Sequence, residues 1–124
     1  MNTHLTLSIL QYNTQKSKDG VLAPLLADCN IRNINIIAVQ ELWRNPHILS
    51  SYNPSSTPVY LAYMPHPDTR VSFHINKHLD PASWSVTHPS PDIAVLTIRV
   101  ITPQQQPRTV KVYNIYNPPL QPRY

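Results

Sequence analysis

The balance of proline against glycine most constrains how this chain folds. Its 124 residues contain fourteen prolines and a single glycine, Gly20. Glycine normally supplies the positive-φ corners of turns, so Asn, Asp and Pro must form most of the turns here. The prolines lie mostly between the apolar runs. This position is compatible with strands, because a proline inside a central strand would remove a hydrogen bond to the neighbouring strand. This pattern favours strands joined by rigid connections over a disordered chain.

Short runs rich in Val, Ile, Tyr and Phe, bounded by polar residues, are typical of strands. They predict strands over 5–12, 36–40, 59–63, 71–76, 84–87, 93–101 and 109–116. Between the first two, leucines at helical spacing predict a short amphipathic helix over 21–29, with Asp19 as its N-cap. A strand–helix–strand opening predicts that the first two strands share a sheet, and the short later turns predict an antiparallel meander. The expected fold class is therefore α/β, with mostly antiparallel strands and one flanking helix.

Charge and composition narrow the classes of partner. Lys and Arg outnumber Asp and Glu by ten to six, which fits a polyanionic partner such as nucleic acid. Cys29 is the only cysteine, so no disulfide framework or thiolate zinc site is expected, and a reducing, intracellular compartment is favoured. No secretory-type leader and no apolar run long enough to span a bilayer is present, so no membrane partner is expected.

Three polar residues end three of the predicted strands: Asn13, Glu41 and Tyr116. Strands of one layered α/β fold can bring their carboxyl ends to a common rim, where ligands bind. A glutamate there suits Mg²⁺, which prefers oxygen ligands and takes one or two protein carboxylates. An amide can orient a phosphate, and a phenol can donate to a phosphate oxygen or position an attacking water. Each residue also has a simpler structural interpretation, as a turn residue, a solvated strand-end carboxylate and an edge tyrosine respectively.

Three segments carry a resemblance to a known superfamily. They are Gln11-Tyr12-Asn13, Val39-Gln40-Glu41-Leu42-Trp43-Arg44-Asn45-Pro46 and Asn114-Ile115-Tyr116-Asn117-Pro118, supported by residues 69–77 and Trp84-Ser85-Val86. In this order they resemble the endonuclease/exonuclease/phosphatase superfamily, and within it the apurinic-endonuclease-like domain of non-LTR retrotransposons. The resemblance implies a four-layer α/β sandwich and a Mg²⁺-dependent phosphodiesterase that nicks DNA. It also implies that Glu41 binds Mg²⁺, that Asn13 supports the metal and phosphate side of the site, and that Tyr116 lies beside the scissile phosphate.

The chain departs from that superfamily in its second half. The family's Gly-Asp-Phe-Asn and Ser-Asp-His segments have no counterpart in this sequence. We therefore expect residues 1–124 to correspond to the N-terminal half of the domain, with the C-terminal half missing and no activity on its own. Half a sandwich should expose apolar faces and unpaired strand edges, which predicts self-association.

Further expectations concern binding residues and alternatives. Lys16, Lys18 and Arg44 lie closest in sequence to the proposed rim and are predicted to contact DNA phosphates, ahead of Arg70. His74 is predicted on the solvent side of its strand and not in a zinc site. DNA and Mg²⁺ are the expected ligands, with no small-molecule cofactor, and the nucleus is one candidate compartment. The alternatives are a basic nucleic-acid-binding half-domain without catalysis, or a non-functional gene remnant.

Overall fold

The computed structural model describes residues 7–27, 33–43, 45, 51 and 59–117. These residues form strands β1 (Ile9–Asn13), β2 (Ile36–Gln40), β3 (Val59–Tyr63), β4 (Val71–Asn76), β5 (Trp84–Ser90), β6 (Ile93–Ile101) and β7 (Pro107–Ile115). Between β1 and β2, a π-helical turn over Lys18–Leu22 leads into helix α1, Ala23–Ala27. A short 3₁₀ turn, Pro81–Ser83, precedes β5.

The strands form two sheets. The first sheet has the order β1-β2-β4-β3, with β1 parallel to β2 and the other pairs antiparallel. The second sheet has the order β5-β6-β7 and is an antiparallel meander. The predicted mixed α/β fold, with a β-α-β opening and mostly antiparallel strands, is confirmed. The chain changes sheets between β4 and β5, which the strand pattern did not predict.

Apolar side chains cover both faces of the first sheet. On one face, Leu22 and Leu26 from the helical segment pack with Ile37 and Val39 of β2. On the other face, buried residues of both sheets form one cluster, which includes Ile36, Ala38, Val71, Phe73, Ile75, Ala94 and Leu96. The described residues are therefore layered as helix, first sheet and second sheet. Burial on both faces explains why β2 is a continuous apolar run.

Three local predictions were wrong. The alternation in 71–76 predicted one buried face, but all six residues of β4 are buried. His74, predicted to face solvent, is wholly buried beside Ile37 of β2. The polar side chains on the second face of β4 indicated that this face is exposed to solvent. Other parts of the chain cover it instead. The helical segment is capped by Ser17, whose hydroxyl accepts the Gly20 N–H at 3.1 Å, and not by Asp19.

The edge strands of the two sheets are the surfaces through which the predicted self-association would take place. Self-association itself stays a prediction. The described strands leave β1 and β3 at the edges of the first sheet, and β5 and β7 at the edges of the second. Tyr113 and Ile115 on β7 are 60% and 54% exposed.

Within the described ranges, no helix has the length and apolar character needed to cross a membrane.

Candidate active site at the rim of the two sheets

Glu41 and Tyr116 meet where strands of the two sheets end. Glu41 follows β2 of the first sheet, and Tyr116 follows β7 of the second. The Tyr116 hydroxyl donates a hydrogen bond of 2.9 Å to Glu41 Oε1, although the residues are 75 positions apart in sequence. Two of the three residues predicted at a common rim are therefore in direct contact.

The backbone at Glu41 is unusual. Its φ of 53° lies in the left-handed region that non-glycine residues seldom adopt and that is often found at functional sites. Continued alternation would place Glu41 on the same side as Val39, facing the helical layer. The left-handed residue interrupts that alternation, and the carboxylate meets the second sheet instead. The Glu41 carbonyl accepts the Lys16 N–H at 2.7 Å and the hydroxyl of buried Thr14 at 2.8 Å, which hold the peptide in place.

Two amide side chains tie the strand ends together. The Asn114 amide nitrogen donates to the carbonyls of Val39 at 3.0 Å and Ser72 at 2.9 Å, so β7 is linked to both β2 and β4. The Gln40 amide nitrogen donates to the Ile115 carbonyl at 2.7 Å. Apart from Ser72, the residues joined by these bonds lie one or two positions before Glu41 and Tyr116 in sequence. They fix the separation of β2 and β7, and hence the contact between the acid and the phenol.

A loop of backbone hydrogen bonds surrounds the same contact. The Glu41 N–H donates to the Arg70 carbonyl at 2.7 Å, and the Arg70 N–H donates to the Pro91 carbonyl at 2.9 Å. The Tyr116 N–H donates to the Asp92 carbonyl at 2.9 Å. The turn at Pro91 and Asp92 therefore connects the segment before β4 to the segment after β7, and Glu41 and Tyr116 are held through main chain as well as side chain.

Arg70 belongs to this site, although its distance in sequence from Glu41 had ranked it below the other cations. Its guanidinium carbon lies 5.5 Å from the centroid of the Tyr116 ring, and its Nε lies 3.8 Å from Asp92 Oδ1. The feature that could have indicated the position of Arg70 is the pairing of its neighbouring strand. β4 runs antiparallel to β2 with Val71 opposite Gln40, so the residue before β4 must lie at the end of β2.

Asn13 lies at the same end of the first sheet but takes part in a local turn. In the parallel register it is the partner of Gln40, next to Glu41. Its side-chain oxygen accepts the Gln15 N–H at 2.8 Å, an Asx-type turn. Among the described residues, its amide nitrogen has no hydrogen-bond partner, so that group is available to a ligand.

The three residues predicted to contact DNA have different surroundings. Lys16 is exposed in the turn after β1, where its backbone bonds the Glu41 carbonyl. The Lys18 ammonium lies 5.2 Å from the centroid of the Trp43 ring, a cation–π contact. Arg44 lies outside the described residues.

The contact with Glu41 raises the pKa of the Tyr116 phenol above its ordinary value. The main cause is the hydrogen bond to Glu41, with further contributions from burial and from the carboxylate charge. We expect Glu41→Ala to lower the Tyr116 pKa towards that of an exposed tyrosine, because both the acceptor and the negative charge are removed. Ultraviolet titration of each protein, minus the same titration of its Tyr116→Phe counterpart, isolates this phenol. An unchanged pKa in Glu41→Ala would contradict the assignment.

The donor set at the rim fits a largely hydrated Mg²⁺. The second carboxylate oxygen of Glu41 has no partner within the described ranges, and Mg²⁺ commonly binds one or two carboxylates while keeping several waters. Across the part of the chain that the structure describes, no group of three or more His, Cys, Asp or Glu side chains could form a closed metal cage. Glu41 therefore suits one ligand position of an open cation site.

Comparison with known proteins gives no further constraint on this site. Protein-family models, curated proteins and solved structures all yield no match to the chain.

Proposed function

We propose that Glu41 and Tyr116 form part of a Mg²⁺-dependent phosphodiesterase centre for DNA, within half of a four-layer α/β sandwich. The hydrogen bond of 2.9 Å between the phenol and the carboxylate is the observation that carries this proposal. It joins an acid suited to a hard cation with a phenol suited to a phosphate, at the rim of two stacked sheets. The described order of helix, sheet and sheet is compatible with three layers of such a sandwich.

Each residue has a defined role in this proposal. Glu41 holds the cation, which when bound polarises a phosphate oxygen and stabilises the leaving oxygen. Tyr116 donates to a non-bridging oxygen or positions water, and Asn13 offers its amide nitrogen to the phosphate. The superfamily pattern assigns the remaining chemistry to segments without a counterpart in this sequence. We therefore expect this chain to bind cation and phosphate without cleaving DNA by itself.

Titration with Mn²⁺, a paramagnetic substitute for Mg²⁺, tests the cation site. We expect it to broaden the backbone amide resonances of Glu41 and Tyr116 selectively, because the ion binds the Glu41 carboxylate. The selective broadening should disappear in Glu41→Ala and persist in Asp80→Ala, which removes an exposed carboxylate beyond the opposite end of β4. Equal broadening in wild type and Glu41→Ala would overturn the proposal.

The excess of basic residues favours a second candidate, a nucleic-acid-binding module without catalysis. Supercoiled plasmid with Mg²⁺ tests whether this chain cuts DNA by itself. Nicking that disappears in Glu41→Ala would show that the residues present suffice for catalysis. Retention of the plasmid without nicking, weakened by salt, agrees with both functions, and the binding module is then favoured only if Mn²⁺ shows no selectivity for Glu41. A broad, non-cooperative melt would instead support the non-functional remnant.

A further inference from the structure

The backbone of Arg70 is fixed between Glu41 and the turn at Pro91. Its carbonyl accepts the Glu41 N–H at 2.7 Å, and its own N–H donates to the Pro91 carbonyl at 2.9 Å. Its side chain carries the guanidinium to within 5.5 Å of the Tyr116 ring centroid. The hydroxyl of that same ring is bonded to Glu41. A positive charge therefore lies beside the phenol ring whose hydroxyl is bonded to the acid.

Among the described residues, no acceptor forms a hydrogen bond with the donors of this guanidinium. Its charged partner within the described ranges is Asp92, at an Nε to Oδ1 distance of 3.8 Å. That distance is too long for a hydrogen bond, and the guanidinium makes none to any described residue. The side chain is 34% exposed. Arginine carries five N–H groups in a planar fork that matches the oxygens of a phosphate, so this geometry suits an incoming anion.

We propose that Arg70 forms a phosphate-binding subsite beside Tyr116, and that its ligand is a phosphate group of a nucleic-acid strand. The guanidinium donates to non-bridging oxygens of that phosphate, while Asp92 balances the arginine charge when the subsite is empty. The choice of nucleic acid rests on the proposed function of Glu41 and Tyr116. The binding of an anion by Arg70 rests on its own geometry.

Binding of a short DNA oligonucleotide, measured without divalent cations, tests the subsite. We expect Arg70→Ala to raise the Kd about tenfold and to reduce the slope of log K against log salt by about one, because one phosphate contact is lost. Arg70→Lys should lie between the two, because it keeps the charge and loses the fork. Arg99→Ala removes the same charge from an exposed position on β6 and should change the Kd less than about twofold. Equal effects of Arg70→Ala and Arg99→Ala would overturn the subsite.

Two further probes establish the ligand. A methylphosphonate oligonucleotide keeps the bases but has an uncharged backbone, so wild type and Arg70→Ala should bind it equally. A weaker affinity of Arg70→Ala for this probe would overturn a phosphate contact. The oligonucleotide should shift the Arg70 guanidinium resonance more than inorganic phosphate at the same concentration of phosphate groups. An equal shift would assign the subsite to free phosphate and overturn the nucleic-acid ligand.

The proposals for the phosphate subsite at Arg70 and for the cation site at Glu41 can be overturned independently of each other. Repeating the oligonucleotide measurement in the Glu41→Ala background should preserve the effect of Arg70→Ala, because the guanidinium acts on the anion directly. If that effect persists while Mn²⁺ shows no selectivity for Glu41, the phosphate subsite stands and the phosphodiesterase proposal falls. If Mn²⁺ binds at Glu41 but replacing Arg70 changes nothing, the subsite falls alone. Thermal melting of each Arg70 variant is the control that checks whether the fold is retained.

Discussion

Replacing Asn114 with aspartate is expected to lower the free energy of unfolding by about 3–5 kcal/mol, the cost typical of an uncompensated buried charge. The Asn114 side chain is 2% exposed and donates from one amide nitrogen to the carbonyls of Val39 and Ser72. A carboxylate has the same shape but no N–H, so it would place a negative charge against two carbonyl oxygens. The loss would also release the tie that holds β7 over β2 and β4.

Denaturant unfolding measures this effect, and the chain offers a matched control. Asn117→Asp is the same chemical change at an exposed position three residues later, and should alter stability by less than about 0.5 kcal/mol. The penalty in Asn114→Asp should shrink in acid, because a protonated carboxyl regains one donor. Equal stability of the two variants would show that the cross-sheet bonds do not support the fold.

Acidification is expected to destabilise the protein through His74. Burial lowers the pKa of this imidazole from 6.5 to about 4, and neither ring nitrogen has a hydrogen-bond partner among the described residues. Between those two values the unfolded chain binds a proton that the folded chain does not. Stability is therefore full above pH 6.5 and falls as the pH drops to about 4. The total loss is about 3 kcal/mol, from the size of the pKa difference.

Urea unfolding at several pH values checks this slope. His74→Leu keeps an apolar side chain of similar size at the buried position and should remove most of the dependence on pH over this range. His78→Leu, at an exposed position, should leave the slope as it is in the wild type. Burial also lowers the pKa of half-buried His88, so a smaller slope of the same sign should remain in His74→Leu. A full slope in His74→Leu would exclude His74 as its source.

Local pattern predicted most of the strands. The predicted bounds of four strands equal the observed ones: Ile36–Gln40, Val59–Tyr63, Val71–Asn76 and Ile93–Ile101. Each is an apolar or alternating run bounded by polar residues or proline, and such a run has one regular way to bury its side chains. The fifth strand was predicted too short, at 84–87, because it continues to Ser90 through Pro89. Proline is tolerated there because β5 is an edge strand.

The candidate site was predicted only in part. Positions at strand ends marked Asn13, Glu41 and Tyr116, and the contact between the last two agrees with a common rim. Whether they bind Mg²⁺ and a phosphate stays a prediction. Distance in sequence ranks Arg70 below Lys16, Lys18 and Arg44, whereas the pairing of β4 with β2 places Arg70 at the rim. The sequence places Asn114 in a predicted strand and in a segment that carries the resemblance, but gives it no role of its own, because a buried amide and an exposed amide look the same in sequence.

The sequence by itself determined which segments are strands and which residues stand at their ends, because both depend on neighbours within a few positions. Only the tertiary structure decided that β4 is buried on both faces, that Glu41 turns towards the second sheet, and that Arg70 lies beside Tyr116. These features depend on which strands stack and on one left-handed residue, Glu41 with a φ of 53°. Contacts between residues 75 positions apart leave no periodic trace in either segment, so they exist only once the two sheets have packed.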